Sequence, residues 1–515
     1  MKEHMRGPVV GLLWWILAIP SLHFSFCNGN STVSCIAKER QALLRFKDDL
    51  THPSSWLSSW SSNDDCCSWD GVVCDNFSGH VRELHLQGSC TDYSDLMCND
   101  YIPKLGGKLN PSLLNLKHLN YLNLSYNDFG RIKIPNFIGS LRSLRYLDLS
   151  EANFSGVIPQ TLGNLTSLHY LDLRHCYRIS LSLENFQWIS GLLLLQHLDL
   201  SCVDLSQSSN WLQMTSMLPS LVELHLRRCQ LDLPFSLPGL NFTSLAVLDL
   251  SANNIKPLMP NWLFGLTGLD SLGLRSCDFS GPIPNGLQNM TSLQDLDLSG
   301  NNFNSTIPIW LYNFKGLKSL DLGWNDLQGP ISGDIGNMTS IIHIDLSYNK
   351  IEGRIPRSMG GLCNTKFIDF SDNKFGDISD VFRSLTGCIS DTLETLSLIG
   401  CQLYGSFDDN LGQFKNLQEL HLSVNSIVGP LPWSIGRLSS LKSLYLTDNQ
   451  LNGTIPEILG NLTKLEELYI DYNLLEGIVS ETHFANLKNL KILGASDNSL
   501  IFKVSPKWIP ITPSE

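Results

Sequence analysis

Apolar residues along this chain return on a fixed schedule. Leu119-Asn-Tyr-Leu122-Asn-Leu124-Ser-Tyr-Asn127 spells L-x-x-L-x-L-x-x-N, and the string starts again at Leu293, Leu317, Ile341, Leu417, Leu441 and Leu465. From Leu245 onward the starts fall every 24 residues, at Leu245, Leu269, Leu293, Leu317, Ile341 and Thr365. Alternation within x-x-L-x-L-x-x puts the leucines on one side of a short strand. A single unit cannot bury them, whereas stacked units pair their strands and close one continuous core. About 17 such units follow Val81. With strands about 4.8 Å apart, they predict a curved rod on the order of 80 Å long.

The polar position of the repeat supports the same fold. Ten units carry Asn where the chain leaves the strand: Asn127, Asn253, Asn301, Asn325, Asn349, Asn373, Asn425, Asn449, Asn473 and Asn498. An amide inside the coil can both donate to and accept from neighbouring backbone groups. Four units carry Cys instead, at Cys176, Cys229, Cys277 and Cys401. These read as buried thiols, repeats apart on the ladder, rather than as metal ligands, and Cys202, just outside the ladder, reads as a free thiol. A second motif follows the ladder: Phe154-Ser-Gly156-Val-Ile158-Pro159 recurs at Phe279–Pro284, Ile351–Pro356 and Leu451–Pro456. Its Gly permits a bend, its Ile packs inward and its Pro ends the extended segment. Short helical turns such as the one around Leu162 and Gly163 are predicted on the convex side.

Solenoid ends need caps. Glu39 to Leu50 has helical apolar spacing at Ala42, Leu43, Phe46 and Leu50, and Trp56, Leu57 and Trp60 offer a second apolar face. Adjacent Cys66 and Cys67 cannot readily bond each other. The pairing proposed is Cys35–Cys66 and Cys67–Cys74, although spacing alone leaves connectivity open. Cys90 pairs with Cys98 across a polar loop in this scheme, and Cys363 with Cys388 across one lengthened unit.

Composition then narrows the class. The 515 residues are 43% hydrophobic and 17% charged, with a formal net charge of -13, so the chain is folded and repels nucleic acid. Val9 to Ile19 is an apolar run of signal-peptide length, too short for the roughly 20 residues that span a bilayer. Residues 1–29 are therefore expected to be a secretory signal, 30–80 the cap and 81–515 the repeats. The 14 cysteines fit an oxidising compartment. So do the N-x-S/T sequons at Asn30, Asn76, Asn123, Asn153, Asn164, Asn241, Asn289, Asn304, Asn337, Asn452 and Asn461. Five of them, at Asn164, Asn241, Asn289, Asn337 and Asn461, precede a repeat start by four residues and share one flank. Asn123 is expected on the concave face, where a glycan would shield the first units.

Binding candidates are the unusual occupants of the concave face. Tyr121, Tyr146 and Tyr170 stand at one position in successive units, suited to a sugar among other ligands. His225, Arg227 and Arg228 form a basic island in a face of repeated Asp. Trp324 and Tyr348 are neighbours one unit apart, and Tyr445, Tyr469 and Tyr472 form a further aromatic patch. Exposed aromatic and Arg side chains are favoured anchors. Catalytic motifs are not found: the histidines are scattered, and His169 and His197 lie in different units with no Cys or Glu at ligand spacing. No enzyme activity, cofactor or metal site is expected.

The repeat L-x-x-L-x-L-S-x-N-x-F-x-G-x-I-P resembles the plant-specific leucine-rich repeat. The segment Glu39-Arg40-Gln-Ala42-Leu43-Leu44 together with Cys66-Cys67-Ser-Trp69-Asp-Gly71-Val-Val-Cys74 resembles the cap of plant receptor-like proteins of the ethylene-inducing xylanase receptor and Cf types. The resemblance implies an α/β leucine-rich-repeat solenoid. Such a fold is a right-handed curved superhelix with a parallel concave sheet and short helices or 3-10 turns on the convex side. It also implies a defence receptor without a kinase, at the extracellular face of the plasma membrane, that recognises a peptide, protein or glycan elicitor and signals through a co-receptor kinase. The chain departs from that plan by stopping inside a repeat. This predicts an exposed apolar end near Leu490, Ile492 and Leu493, with no transmembrane helix besides the signal. The alternatives are a secreted inhibitor of a wall-degrading enzyme, resembling polygalacturonase-inhibiting proteins, or a truncated decoy receptor.

Overall fold

A computed structural model describes residues 34–51, 56–88, 104–176, 181–231, 242–255 and 257–503. The expected signal segment, Cys90, Cys98, Asn30 and Asn241 lie outside the described residues.

Seventeen parallel strands, from Val81–His85 to Ile492–Gly494, pair in sequence order into one concave sheet. Corresponding residues meet without slippage, as in Leu122↔Leu147↔Leu171↔Leu198. That register follows from the core: the inward leucines at these positions are fully buried, and a one-residue slip would expose every one of them. The convex side is built from 3-10 segments such as Gln160–Asn164 and Asn285–Asn289. Many begin at the proline of the second motif, including Pro159, Pro284, Pro356 and Pro456. The isoleucines before those prolines, Ile158, Ile283, Ile355 and Ile455, are buried. Coils pack closely on this side: a Cβ on Gly163 would collide with the Trp188 carbonyl oxygen. Longer units instead carry true helices, Trp211–Ser216 and Ile378–Ser384.

The Phe-x-Gly-x-Ile-Pro segments do more than bend. They pair with one another into short parallel sheets on the flank, the largest running from Tyr404–Gly405 through Ser426–Gly429, Gln450–Gly453 and Leu474–Val479 to Ser499–Phe502. Gly281 and Gly453 occupy left-handed backbone there, with φ of 82° and 74°. The pattern of apolar residues did not predict these flank sheets.

The cap helix spans Ala37–Asp48, starting two residues before the predicted Glu39, and buries Ala42, Leu43 and Phe46. Glu39 is buried with them and joins cap to repeats. Its carboxylate accepts from the Val81 amide at 2.8 Å and pairs with His80 Nδ1 at 2.8 Å. Trp60 stacks on Trp69, and its indole N–H donates to the Asp70 carbonyl. Cys35–Cys66 and Cys67–Cys74 are disulfides, as is Cys363–Cys388.

One cysteine assignment is corrected. Cys176 and Cys202 are not thiols; they form a disulfide with Cα atoms 5.0 Å apart. They stand 26 residues apart at different offsets of their repeats, so the ladder pattern hid a pairing that one turn of the coil creates. Cys229, Cys277 and Cys401 are the buried free cysteines among the described residues. At the apolar end, Ile492 and Leu493 are exposed, whereas Leu490 is partly buried.

Asn253 shows how a rung works. Its Nδ2 donates to the Leu226 and Leu250 carbonyls, each at 2.8 Å, and its Oδ1 accepts from the amides of Cys229 (2.9 Å) and Leu231 (3.1 Å). Where Cys stands instead, the thiol takes over the donation: Cys229 Sγ–H reaches the Leu200 carbonyl at 3.1 Å. Burial pushes the Cys277 and Cys401 thiols up to about 12, so they remain protonated donors. Asn253→Ala strands the Leu226 carbonyl and the amides of Cys229 and Leu231, since the Leu250 carbonyl keeps the Cys277 thiol, and is expected to cost about 2–4 kcal/mol in urea unfolding. Asn253→Cys is expected to cost less. An alanine variant within about 0.5 kcal/mol of wild type would contradict this role for the rung.

Candidate functional site

The concave sheet leaves two side-chain columns facing the groove, because the residues on either side of the central leucine of each strand point outward. Tyr121, Tyr146, Tyr170 and His197 share one column in register. Their rings, with His85 at one end, form a continuous stack with centroid spacings of 4.3, 4.1, 4.2 and 4.2 Å. The ring faces of Tyr146 and Tyr170 are therefore covered by neighbours. What they offer the groove is edges and hydroxyls rather than the open faces on which a sugar would stack. Burial pushes both phenols well above their ordinary range, with nearby carboxylates adding to it, so they are neutral donors.

Beside this stack lies the second column, Asn123, Asp148, Asp172 and Asp199, all buried. Asn123 Oδ1 accepts from the Ser125 amide and hydroxyl, and its Nδ2 approaches the Tyr121 hydroxyl at 3.4 Å. The amide that would carry a glycan is thus covered. Arg174 spans two carboxylates, at 3.3 Å from Asp172 and 3.6 Å from Asp199. Burial, together with Asp199, raises the Asp172 carboxyl well above the usual range despite Arg174.

The basic island divides. Arg227 and Arg228 are exposed, just past the strand Glu223–His225. Arg275 occupies the position of Arg227 two units on and is also exposed, an extension readable from its offset after Leu274. His225, in contrast, stays in the column. Burial opposes its charge, but the Glu223 hydrogen bond, Asp199 and Asp249 raise its pKa overall.

Trp324 and Tyr348 stack with centroids 3.8 Å apart and are 57% and 43% exposed. They lie not on strands but on the left-handed turn after them, with φ of 54° and 52°. Tyr472 occupies the same turn position, apart from the stacked pair Tyr445 and Tyr469, which His421 extends. Hydrogen bonding to Glu467 pushes the Tyr445 phenol up to about 12. His343 and Phe367, stacked at 4.2 Å in the first column, are further groove residues beyond those expected from the sequence.

On the outer faces, Asn164, Asn289, Asn337 and Asn461 each end a 3-10 segment and are exposed. They share one flank, as the repeat spacing requires. Asn76, Asn304 and Asn452 are exposed too, whereas Asn153 is half-buried and donates to Asp128.

Fold and face together define a leucine-rich-repeat solenoid with a disulfide-bonded N-terminal cap. Residues 36–75 match the leucine rich repeat N-terminal domain family. Residues 117–177 and 439–500, and single units at 292–314, 340–362 and 416–438, match leucine rich repeat families. The chain is 39% identical over 261 residues to receptor-like protein EIX1 of Solanum lycopersicum, covering 49% of this chain and 25% of the relative. For EIX2 of the same species the identity is 37% over 271 residues, covering 51% and 26%. The match thus spans about a quarter of each relative's length. Among solved structures, the Arabidopsis receptor kinase HAESA ectodomain in complex with an IDA peptide hormone aligns at TM-score 0.60 and 25% identity. That alignment covers 90% of this chain and 82% of that one. A TDR receptor aligns at TM-score 0.60 and 26% identity, covering 77% and 67%. The chain is homologous to the plant leucine-rich-repeat receptor-like proteins.

The column of Asp297, Asp321 and Asp345 gives a pH signature. Burial, then Asp297 and Asp345, push the Asp321 carboxyl up to about 6, against hydrogen bonds from the Gly323 amide and the Ser299 hydroxyl. The folded chain therefore holds a proton that the unfolded chain, with an ordinary aspartate near 3.9, has lost. This contribution favours folding below about pH 4 and is lost as pH rises through about 6. Asp321→Asn is expected to raise the Tm at pH 7 and leave it unchanged at pH 4. An equal shift at both values would argue against this origin.

Proposed function

We propose that this chain is the ligand-recognising part of an extracellular receptor-like protein of plant defence, binding a peptide or protein elicitor along its concave face. In this reading residues 1–29 direct secretion, 30–80 cap the solenoid and 81–515 form the binding surface. Signalling passes to a partner receptor kinase rather than to a catalytic domain of its own. One observation carries the proposal: an unbroken in-register sheet holds non-repeat aromatic, histidine and arginine side chains in one groove. The repeat explains nearly every other inward position through the core. Groove residues of this type, held on a rigid sheet, are suited to anchoring a partner.

Two similarities add support. The tomato relatives are named as receptors, and the HAESA ectodomain that this chain resembles was solved with a peptide hormone, and also with the co-receptor SERK1. The neutral tyrosine hydroxyls and the exposed Arg227, Arg228 and Arg275 suit backbone carbonyls and carboxylates. This favours a peptide or protein over a sugar in the first eight units.

The test is binding of a purified fungal ethylene-inducing xylanase to the secreted, glycosylated chain by biolayer interferometry. Tyr146→Ala, Arg228→Ala and Trp324→Ala are compared with the convex control Lys415→Ala. At least one groove variant is expected to weaken binding about 10-fold or more, the scale of an interface anchor, with the control unchanged. Equal affinity across all four would reject the concave face. Absence of binding to the xylanase would reject that elicitor class.

A further inference from the structure

At the end of the tyrosine stack the groove changes chemistry. His197 lies on the strand His197–Asp199, and Glu223 and His225 on the next, Glu223–His225. Parallel register sets His197 beside Glu223 and Asp199 beside His225. His197 Nδ1 lies 2.7 Å from Glu223 Oε2, and His225 Nε2 lies 3.8 Å from the same oxygen. One donor atom from each of the three residues falls within 4.8 Å of the others. One other such group occurs among the described residues, at Cys35, Asp65, Cys66 and Cys67, and its thiols are spent in disulfides. Other histidines, such as His80, His85 and His421, meet a single carboxylate. This finding corrects the expectation that His197 has no acidic partner: Glu223 arrives from the next coil.

We propose that His197, Glu223 and His225 form a binding site for a divalent transition-metal ion of the zinc type. Two imidazoles and one carboxylate match the donor set that such ions favour, and two nitrogen donors argue against calcium or magnesium. Metal–ligand bonds of about 2.0–2.2 Å in a tetrahedron place neighbouring donors roughly 3.4 Å apart. The observed 2.7 and 3.8 Å bracket that value, so closure needs only small side-chain shifts. The scaffold resists larger ones. His197 is held face to face against Tyr170 at 4.2 Å, and both strands are tied into the sheet on each side.

Two further features fit. His197 Nε2 is buried without a hydrogen-bond partner. Ligation at Nδ1 requires the ring proton on Nε2, which displaces no existing bond there but leaves that N–H to be met by water. Glu223 is 44% exposed, which leaves the remaining coordination position open to the groove for water or a ligand carboxylate. Asp199 and Asp249 flank His225 and offset the charge of the ion, while the exposed Arg227 and Arg228 oppose it. The site does not depend on the receptor reading.

The experiment is isothermal titration of zinc chloride into the untagged full chain in chelator-treated buffer, with cobalt as a visible-absorption probe. One saturable site per chain is expected, with cobalt giving tetrahedral d–d bands. His197→Ala and Glu223→Gln are each expected to weaken zinc binding about 10-fold or more. His169→Ala, one unit earlier at a neighbouring position, is expected to match wild type. Thermal melts monitor folding of each variant. Independently of any variant, zinc is expected to protect His197 and His225, but not His169, from diethyl pyrocarbonate. Lack of saturable binding by wild type, undiminished binding by a His197→Ala/His225→Ala double variant, or equal modification with and without zinc would each overturn the proposal.

Discussion

Every coil of this molecule must bury a sharp turn of backbone, and a buried peptide group without a partner is costly. The side-chain amide of the ladder Asn meets that demand from inside, donating to carbonyls of its own and the preceding coil and accepting from amides of the preceding coil. Much else follows. In most units the residue before the rung takes left-handed backbone, as Tyr126, Arg228, Trp324, Tyr348 and Tyr472 all do. Those side chains are thereby presented along one edge of the groove. A structural requirement of the core thus creates an exposed row whose occupants are free to vary.

The same stacking sets the chemistry of the groove. Strands lie about 4.8 Å apart, close to the thickness of an aromatic ring plus its contact distance. Rings at one position in successive coils therefore lie face to face, and the stack from His85 to His197 is a consequence of spacing rather than a separate design. Carboxylates at the neighbouring position are forced into the same proximity, with the opposite result. Burial, with the neighbouring carboxylates adding to it, makes Asp172 and Asp321 hold their protons more tightly, and Arg174 offsets the charge at Asp172. Aromatic rows gain from the repeat and acidic rows lose by it.

Much of the architecture was legible because one period governs it. The parallel sheet, the buried rungs and the flank shared by Asn164, Asn289, Asn337 and Asn461 all follow from counting residues within a unit. What escaped was chemistry between units where the spacing departs from that period. Cys176 and Cys202 stand one position out of step in their repeats and meet only because the coil between them brings them round, while His197 and Glu223, at equal offsets 26 residues apart, pair across adjacent strands in a stretch where the unit departs from 24 residues. Trp324 and Tyr348, 24 residues apart at equal offset, were readable as neighbours. Their place on the turn instead of the strand was not, because the Asn that forces the turn is itself a core residue. Burial of Asn123 escaped for a related reason: a strand position that points toward the groove is still covered when bulky rings flank it.

These offsets bear on how such a surface diversifies. Substituting one groove residue changes a contact with the coil before and the coil after, and with little beyond, since each repeat touches only its neighbours. The tyrosine stack, the His197–Glu223–His225 group and the Trp324–Tyr348 pair are each confined to adjacent coils. The Trp324–Tyr348 pair can therefore be altered without disturbing the other two, which share His197 through its contact with Tyr170. The buried ladder holds the curvature constant while the groove chemistry changes segment by segment. A scaffold of this kind separates the residues that fold it from the residues that recognise, and it does so within every unit.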